Sequence, residues 1–597
     1  MLLDDRDLQF LLYEFLDTQA LLTRDRYAEH DRAVFDATLA TARQVAAEFF
    51  APHNQKGDRN EPTFDGERVH LIPETQYAWN AFADAGFLAA QHDFADGGLQ
   101  LPEVLLRACM AYFNAANIAT TAYPFLSIGA ANLIKSFASQ RLREAFLPAL
   151  FSGRFSGTMA LTEPGQGSAL GDLRTRAALH RDGDYRLFGQ KMFISGGDHE
   201  MTENIVHLVL ARIDGAPPGV KGISLFVVPK FLVSAQGEPG ERNDVALAGL
   251  IHKMGYRNTT STVLSFGERD GAVAYLLGEP HKGLSYMFQM MNEARIGVGL
   301  GAASLAYQSY LQALAYARER PQGRPASARD PSQRQVAIIE HADVRRMLLM
   351  QKAYAEGSLA LCLYASSLVE DAHTLANAQA REDAAQLLDL LTPMVKTWPS
   401  RYGLLACDLG IQILGGSGYT REYPLEQLYR DNRLNPIHEG TEGIQGLDLL
   451  GRKLGSKGGR GYALFIEQLE LSLEQAHAHD ACHGLIQPLG QSLVTLKEVT
   501  AALQQQVQDD PDRGLSNATA YLDLFGRVLV GWIWLRQAMV AAQALAKGAN
   551  GEEADFYQGK LHTARYYMAW ELASLPGIAT LLCAGNSANI DMQNQWF

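Results

Sequence analysis

Apolar residues early in the chain return every three or four positions, as at 74–85 and 103–117, and this spacing predicts amphipathic helices across residues 32–155. The turn-rich stretch HDFADGG at 92–98 breaks that run. Near residue 157 the texture changes. Short runs of β-branched and aromatic residues at 185–195, 205–213, 223–228 and 262–266 predict strands, with Asp182 and Gly183 as a hairpin turn before the first of them. Helical periodicity resumes near residue 283 and lasts to about residue 454, interrupted by RPQGRPASARDPSQ, whose three prolines and one glycine exclude a continuous helix. After a glycine-rich linker, GSKGGRG at 455–461, further helices rich in Leu, Ala and Gln extend to about residue 583.

The order helices, sheet, helices predicts a mainly helical α+β chain, and 597 residues suffice for several domains. Five segments follow: an N-terminal extension at 1–35, an N-terminal helical domain at 36–157, a central β domain at 158–281, a helical bundle at 282–455, and an additional C-terminal helical domain at 456–597.

Composition narrows the class. The 47% hydrophobic and 20% charged content is that of a folded globular chain. A net charge of −14 disfavours general affinity for nucleic-acid phosphates. The five cysteines form no CxxC pair, which supports neither a disulfide framework nor a zinc ribbon and points to a reducing compartment. The start, MLLDDRDLQFLLYEFLDTQ, is acidic where a signal peptide needs a positive flank, so a cytoplasmic protein is expected, with peripheral contact at the inner membrane as the alternative. The apolar stretch 522–545 carries Asp523, Arg527 and Arg536, and therefore predicts a buried helix rather than a membrane span.

Three stretches carry the candidate chemistry. In TMALTEPGQGSALGDLRTR at 158–176, the hydroxyls of Thr162 and Ser168 flank a Pro-Gly turn, and small residues let the backbone approach a flat ligand; a plain tight turn has the same features. GQKMFISGG at 189–197 reads as a strand ending in Ser195 and two glycines, which also describes an ordinary strand. In ILGGSGYTREYPLEQLYRDNRLNPIHEGTEGIQ at 413–445, Gly415, Gly416 and Gly418 either admit a phosphate to backbone N–H groups or simply break a helix. Glu439 stands near its end, and an isolated glutamate is usually a solvated surface residue.

Together, and in this order, the TEPGQGS turn, the GQKMFIS strand and the ILGGSGYTREYP…RD…IHEGTEGIQ segment resemble the acyl-CoA dehydrogenase family over about residues 36–455. The extension and the C-terminal helices look like those of its larger bacterial members. The resemblance implies an N-terminal helical domain, a central β-barrel or sandwich and a helical bundle, with FAD held between them and across a subunit boundary, so that a homodimer is expected. It implies that Glu439, 27 residues after Gln412 as in the family, takes the α-proton of an acyl-CoA thioester while the β-hydrogen leaves as hydride to flavin N5. Thr162, Phe193 and Ser195 are then similar to the family's partners of the flavin ring. Arg320 and Gln322 resemble groups that reach the FAD pyrophosphate of the neighbouring subunit, Gln412, Gly415 and Gly416 the complementary side of that site, and Thr441 a contact near the adenine. Ser168 resembles a contact of the CoA arm, and Arg295 an arginine close to the catalytic centre. Read without the resemblance, Arg320 is a helix-end surface arginine and Arg295 part of a buried ion pair.

The chemistry asks for more than a base. An α-proton of a thioester is a weak acid, so the enolate charge needs hydrogen-bond donors while a carboxylate in a dry site removes the proton. In the family the thioester carbonyl is held by the base's own N–H and a flavin ribityl hydroxyl, which implies both roles for Glu439. There are departures. Gly443 stands where many relatives carry Gln, His438 replaces a frequent Tyr, and the polar insertion after Arg320 is longer than in short members. HEGTE at 438–442 lacks the second His of a zinc motif, GVGLGAAS at 297–304 follows no strand and reads as close helix packing, and Cys482 beside His483 fits no ligand spacing, so no metal is expected.

The expected activity is oxidation of a fatty acyl-CoA, of medium or long chain, to the trans-2-enoyl-CoA in β-oxidation, with electrons passing to an electron-transfer flavoprotein. Gly129, Ala130 and Ala131, in the segment that lines the tail pocket in the family, leave room for the acyl chain or for helix packing. The alternatives are a 3-methylmercaptopropionyl-CoA or other short or branched acyl-CoA dehydrogenase, an acyl-CoA oxidase, and a flavin-free scaffold.

Overall fold

The computed structural model describes residues 1–180, 183–328, 330 and 332–597. Residues 32–297 form one compact unit, and residues 3–31 with 298–597 form a second.

The first unit begins with helices Arg32–Val45, Pro73–Asp84, Glu103–Phe137 and Gln140–Phe151. Pro73 supplies the fixed φ of a first helical turn. The predicted helix at 103–117 ends where Asn117 leaves helical geometry (φ −165°, ψ 89°), but the chain then resumes as a second helical run. The side chain of Asn117 starts that run by accepting from the Thr120 N–H at 3.0 Å. Both runs are buried over most of their circumference, so burial alone does not set the second apart from the first. A small hairpin, Thr63–Phe64 with Val69–His70, interrupts the helices; two-residue strands carry no readable alternation.

The β domain is an eight-stranded sheet among the described residues. Strands Tyr185–Ser195, Ala272–Leu277, Ile223–Pro229 and Asn204–Ile213 pair in that order. Strand Arg176–Leu179 then pairs with both the first and the last of these, which closes a five-membered ring of strands. Alternation along each strand divides two cores. In Asn204–Ile213, Val206, Leu208 and Leu210 pack with the helices through Ala130, Leu133, Phe146 and Met287, whereas Val209 and Ala211 join Leu187, Phe226 and Phe266 inside the sheet. Of the predicted hairpin turn, Asp182 lies outside the described residues, while Gly183 has a φ of 86° and strands Arg176–Leu179 and Tyr185–Ser195 pair antiparallel across it.

The second unit is helical. The later part of Gly283–Glu319, Ala342–Thr374 and Ala378–Leu414 pack with Arg460–Ala476, His483–Asp509, Ala518–Ala546 and Gly551–Trp570. The segments separated in the sequence reading as extension, bundle and C-terminal helices thus share one unit. Helix Ala518–Ala546 is, among the described residues, the one long and apolar enough to cross a membrane, and 67% of its most apolar window is buried inside the protein. Trp532 and Trp534 anchor it, their Nε1–H groups donating to Ser472 Oγ at 2.8 Å and to the Ala353 carbonyl at 3.2 Å. The N-terminal segment enters the same core: Lys560 Nζ lies 2.5 Å from Asp7 and 2.8 Å from Glu356, all fully buried, and the Tyr307 hydroxyl donates to Asp7 at 2.8 Å. In GVGLGAAS, an added Cβ at Gly297 would stand 2.3 Å from the Phe125 ring and one at Gly299 2.1 Å from the Val395 carbonyl, so close packing accounts for those glycines.

Candidate active site

In the first unit the two β-domain motifs are fastened to each other. Glu163 and Gln166 exchange backbone hydrogen bonds of 2.9 and 3.0 Å across the Pro-Gly turn, which leaves Ser168 exposed in the following loop. The carbonyl of Thr162 accepts from the Met192 N–H at 2.9 Å. Beneath this contact Lys191, fully buried, donates to the Leu161 carbonyl at 2.9 Å and to the Glu163 carboxylate at 3.0 Å. Glu163 also accepts from the Arg174 and Thr175 N–H groups and from the Thr175 hydroxyl. Burial lowers the Lys191 pKa to about 8, while the Glu163 charge works in the opposite direction.

Strand Tyr185–Ser195 carries a β-bulge where this clamp ends. Ile194 faces Thr262 and Lys191 faces Leu264, so the strand has one residue more than its partner between the two pairs. Phe193 occupies the bulge with a φ of 59°, a strained conformation for an aromatic residue, and its ring is 58% exposed. Ser195 follows, half-buried and opposite Ser261. Arg295 is buried in helix Gly283–Glu319.

In the second unit, Glu439 is half-buried and adopts a φ of 54°, followed by Gly440 at 89°. This left-handed pair is clamped from behind. Gln445 Nε2 donates to the Glu439 carbonyl at 3.0 Å, and the fully buried Lys396 donates through Nζ to the Gly440 carbonyl at 2.8 Å. His438 is held at 3.1 Å by Asn435 Oδ1, and burial together with the Lys396 charge lowers its pKa to about 3, so it is neutral. Thr441 caps helix Glu442–Gly451 by accepting from the Ile444 N–H at 3.4 Å.

Helix Ala378–Leu414 ends just after Gln412, whose carbonyl accepts from the N–H of Gly415. Gly415 has a φ of 59° and is exposed with Gly416; an added Cβ on either would meet nothing within 4 Å, which leaves their backbone open to a ligand. Arg320 and Gln322 begin a closed loop. The Gln322 N–H donates to Val336 at 2.9 Å and the Ile338 N–H to Arg320 at 2.8 Å, so the insertion is tied off at its neck with both side chains exposed.

Four family models, described as the acyl-CoA dehydrogenase N-terminal, middle and C-terminal domains and an acetyl-CoA dehydrogenase C-terminal-like domain, match residues 35–154, 158–268, 281–454 and 465–593. A 3-methylmercaptopropionyl-CoA dehydrogenase of Ruegeria pomeroyi is 36% identical over 94% of both chains. The chain belongs to the acyl-CoA dehydrogenase family. A broad-specificity linear acyl-CoA dehydrogenase of Mycobacterium tuberculosis is 35% identical over 94% of both chains. The structure of an acyl-CoA dehydrogenase complexed with FAD from Bacillus anthracis shares the fold at a TM-score of 0.76 and 20% identity, covering 94% of this chain and 90% of that one.

This acyl-CoA dehydrogenase is an oxidoreductase, and FAD is the cofactor that its family resemblance implies. Its residues fit the cofactor: an exposed aromatic ring set on a bulge suits a flat ring system, and the open glycine backbone and the capped helix N-terminus offer N–H donors to anionic groups. Sequence reasoning missed Glu163, Lys191, Lys396 and Gln445. A lysine within an apolar helical run such as TPMVKTW is a signal for Lys396, since a buried lysine needs an acceptor.

Proposed function

We propose that this acyl-CoA dehydrogenase uses Glu439 as the base that takes the α-proton, with the left-handed backbone at Glu439, clamped through Lys396 and Gln445, as the observation that carries the assignment. A non-glycine residue held at positive φ is costly and persists where surrounding bonds enforce it. The clamp holds the two carbonyls that follow the Glu439 α-carbon, and the Glu439 N–H is the donor proposed for the thioester carbonyl. FAD, when bound, supplies the acceptor for the β-hydrogen and its electron pair. The α-carbon pair left behind by the proton becomes the new double bond, so the product is the enoyl-CoA.

Thr162, Phe193 and Ser195 are proposed to hold the flavin ring, Gln412, Gly415, Gly416 and Thr441 the rest of the cofactor, and Arg320 with Gln322 the pyrophosphate in a second copy of the chain. Ser168 is proposed to contact the CoA arm, and Arg295 to lie close to the substrate. An electron-transfer flavoprotein is the proposed acceptor.

The family resemblance sets the acyl tail along residues 123–133, and Leu126, Ile128 and Gly129 of that segment line a narrow crevice of about 20 Å³ with Arg107, Met159, Met290 and Glu293. Glu293 accepts from Asn132 Nδ2 at 2.9 Å, and burial raises its pKa. A narrow crevice with Glu293 and Arg107 in its wall suits a short or heteroatom-bearing acyl chain better than a long alkyl tail, which would take both polar groups further from water. A short or thioether acyl-CoA is therefore the favoured substrate. The mostly apolar remainder of the wall supports the second reading, a medium or long linear chain. Anaerobic titration of the purified protein with acyl-CoAs of increasing length and with 3-methylmercaptopropionyl-CoA, followed by bleaching of the flavin band, tests both. Bleaching confined to chains longer than about six carbons overturns the short-chain reading, a bound flavin unmoved by every thioester overturns the base assignment with it, and peroxide release in air marks an oxidase.

A further inference from the structure

The guanidinium carbon of Arg536 stands 4.8 Å from the ring centre of Tyr364, 4.9 Å from that of Phe15 and 5.1 Å from that of Trp532. No carboxylate lies within ion-pair distance of it among the described residues. The same helix shows how this protein ordinarily buries an arginine: Arg527, nine residues earlier, has Asp523 at 3.1 Å and Glu571 at 2.7 Å. Arg536, half-buried, has three rings and a single hydroxyl, that of Tyr364, instead. Ring faces attract a cation but offer no lone pair to the five N–H donors of a guanidinium, and withdrawal of an ion from water is compensated only when those donors find acceptors.

Arg536 forms part of the wall of an open cavity of about 440 Å³. Gln475, His479 and Gln543 bring further polar groups to it, and Phe15, Met539 and Val540 an apolar side. Arg536 is the one permanently charged residue of that lining, with no lysine beside it. The demand is thus for one negative charge, planar enough for a guanidinium fork and attached to an apolar chain. A phosphate would bring up to two charges against one.

We propose that this cavity is a binding site for a small organic monocarboxylate, with Arg536 as counter-ion and Phe15, Met539 and Val540 against the hydrocarbon chain. The site is built wholly from the second unit and requires none of the residues proposed for FAD or the thioester.

Calorimetric titration of the full-length holoenzyme with hexanoate tests it, with hexanol and inorganic phosphate as companion probes. The expected result is saturable binding of one hexanoate per chain, weakened by on the order of tenfold in Arg536→Gln and in Met539→Trp, which fills the cavity. Hexanol binds at least about tenfold more weakly than hexanoate, because it lacks the charge, and phosphate does not displace hexanoate. Absence of saturable hexanoate binding overturns the proposal, as does undiminished binding in both variants. Equal binding of hexanol, or displacement by phosphate at equal concentration, overturns the carboxylate class. Should Arg536→Gln fail to fold, the hexanol comparison on the unaltered protein and the Met539→Trp variant decide.

Discussion

Lys396 reaches the Gly440 carbonyl with a hydrogen bond of 2.8 Å and is fully buried, so an ammonium supports the backbone one residue beyond Glu439. Lys396→Met keeps the length of the side chain and removes the donor. The expected outcome is retained FAD and a fall in kcat of about tenfold or more, because a base displaced by an ångström loses its alignment, while KM changes much less. Steady-state kinetics on protein of matched flavin content check this, and an unchanged kcat removes Lys396 from the positioning of the base.

Glu439→Gln leaves the shape of the loop and takes away the proton acceptor. A yellow protein with the flavin band of the parent and a turnover reduced by about 10²–10⁴ is expected. Turnover within a few fold of the parent would transfer the role of base to another residue.

The pair Glu163 and Lys191 sits under the contact between Thr162 and Met192, next to the bulge that presents Phe193. Removal of one partner leaves a buried charge, at a cost of about 3–5 kcal/mol. Lys191→Met and Glu163→Gln should therefore each lower Tm and weaken FAD binding, and the double variant should recover part of the loss. Fluorescence titration of the apoprotein with FAD separates the two effects: a Tm loss with unaltered FAD affinity would confine the pair to stability.

Two buried histidines and the half-buried His438 set the acid limit. His199, His207 and His438 have pKa values lowered to about 3, in each case by burial foremost. Between pH 6.5 and 3 the unfolded chain binds protons that the folded one refuses, so stability falls as pH drops through 6.5, by about 2 kcal/mol per histidine at pH 5. Thermal unfolding recorded from pH 7.5 to 5 should show Tm decreasing throughout the lower half of that range; a level Tm would mean that the three rings accept protons in the folded protein.

Lys560 joins the carboxylates of Asp7 and Glu356 in the helical core. Lys560→Met strands two buried acids, and destabilisation of about 3–5 kcal/mol is expected. Chemical denaturation monitored by tryptophan fluorescence measures it, and a loss below about 1 kcal/mol would mean that Lys352, which also pairs with Glu356, balances the two acids alone.

Much of this arrangement was legible in the chain. The runs at 205–213 and 223–228 became strands because both faces of each meet apolar neighbours, whereas 185–195 buries one face and leaves the other partly exposed, so continuity or alternation survives in the sequence. Thr162, Phe193, Ser195 and Glu439 stood out only through their motifs, and what distinguishes Phe193 and Glu439 physically, a positive φ, leaves no compositional mark on a non-glycine residue. The supports were harder still. Glu163 and Lys191 are 28 positions apart, and Lys396 and Gly440 44 apart, so their partnership is a product of tertiary packing that no local period encodes. The N-terminal segment looked like an appendage for the same reason, since the lysine that needs Asp7 lies at 560.

That last separation bears on how the protein is made. Asp7 leaves the ribosome more than 500 residues before Lys560, so the acid must wait for all of that chain before its charge is neutralised. Residues 32–297 complete their own core from contiguous sequence and are free to fold during synthesis. The helical unit that joins residues 3–31 to 298–597 has to close afterwards, through contacts of very high sequence separation, and until then helix Asp5–Gln9 remains in search of a partner.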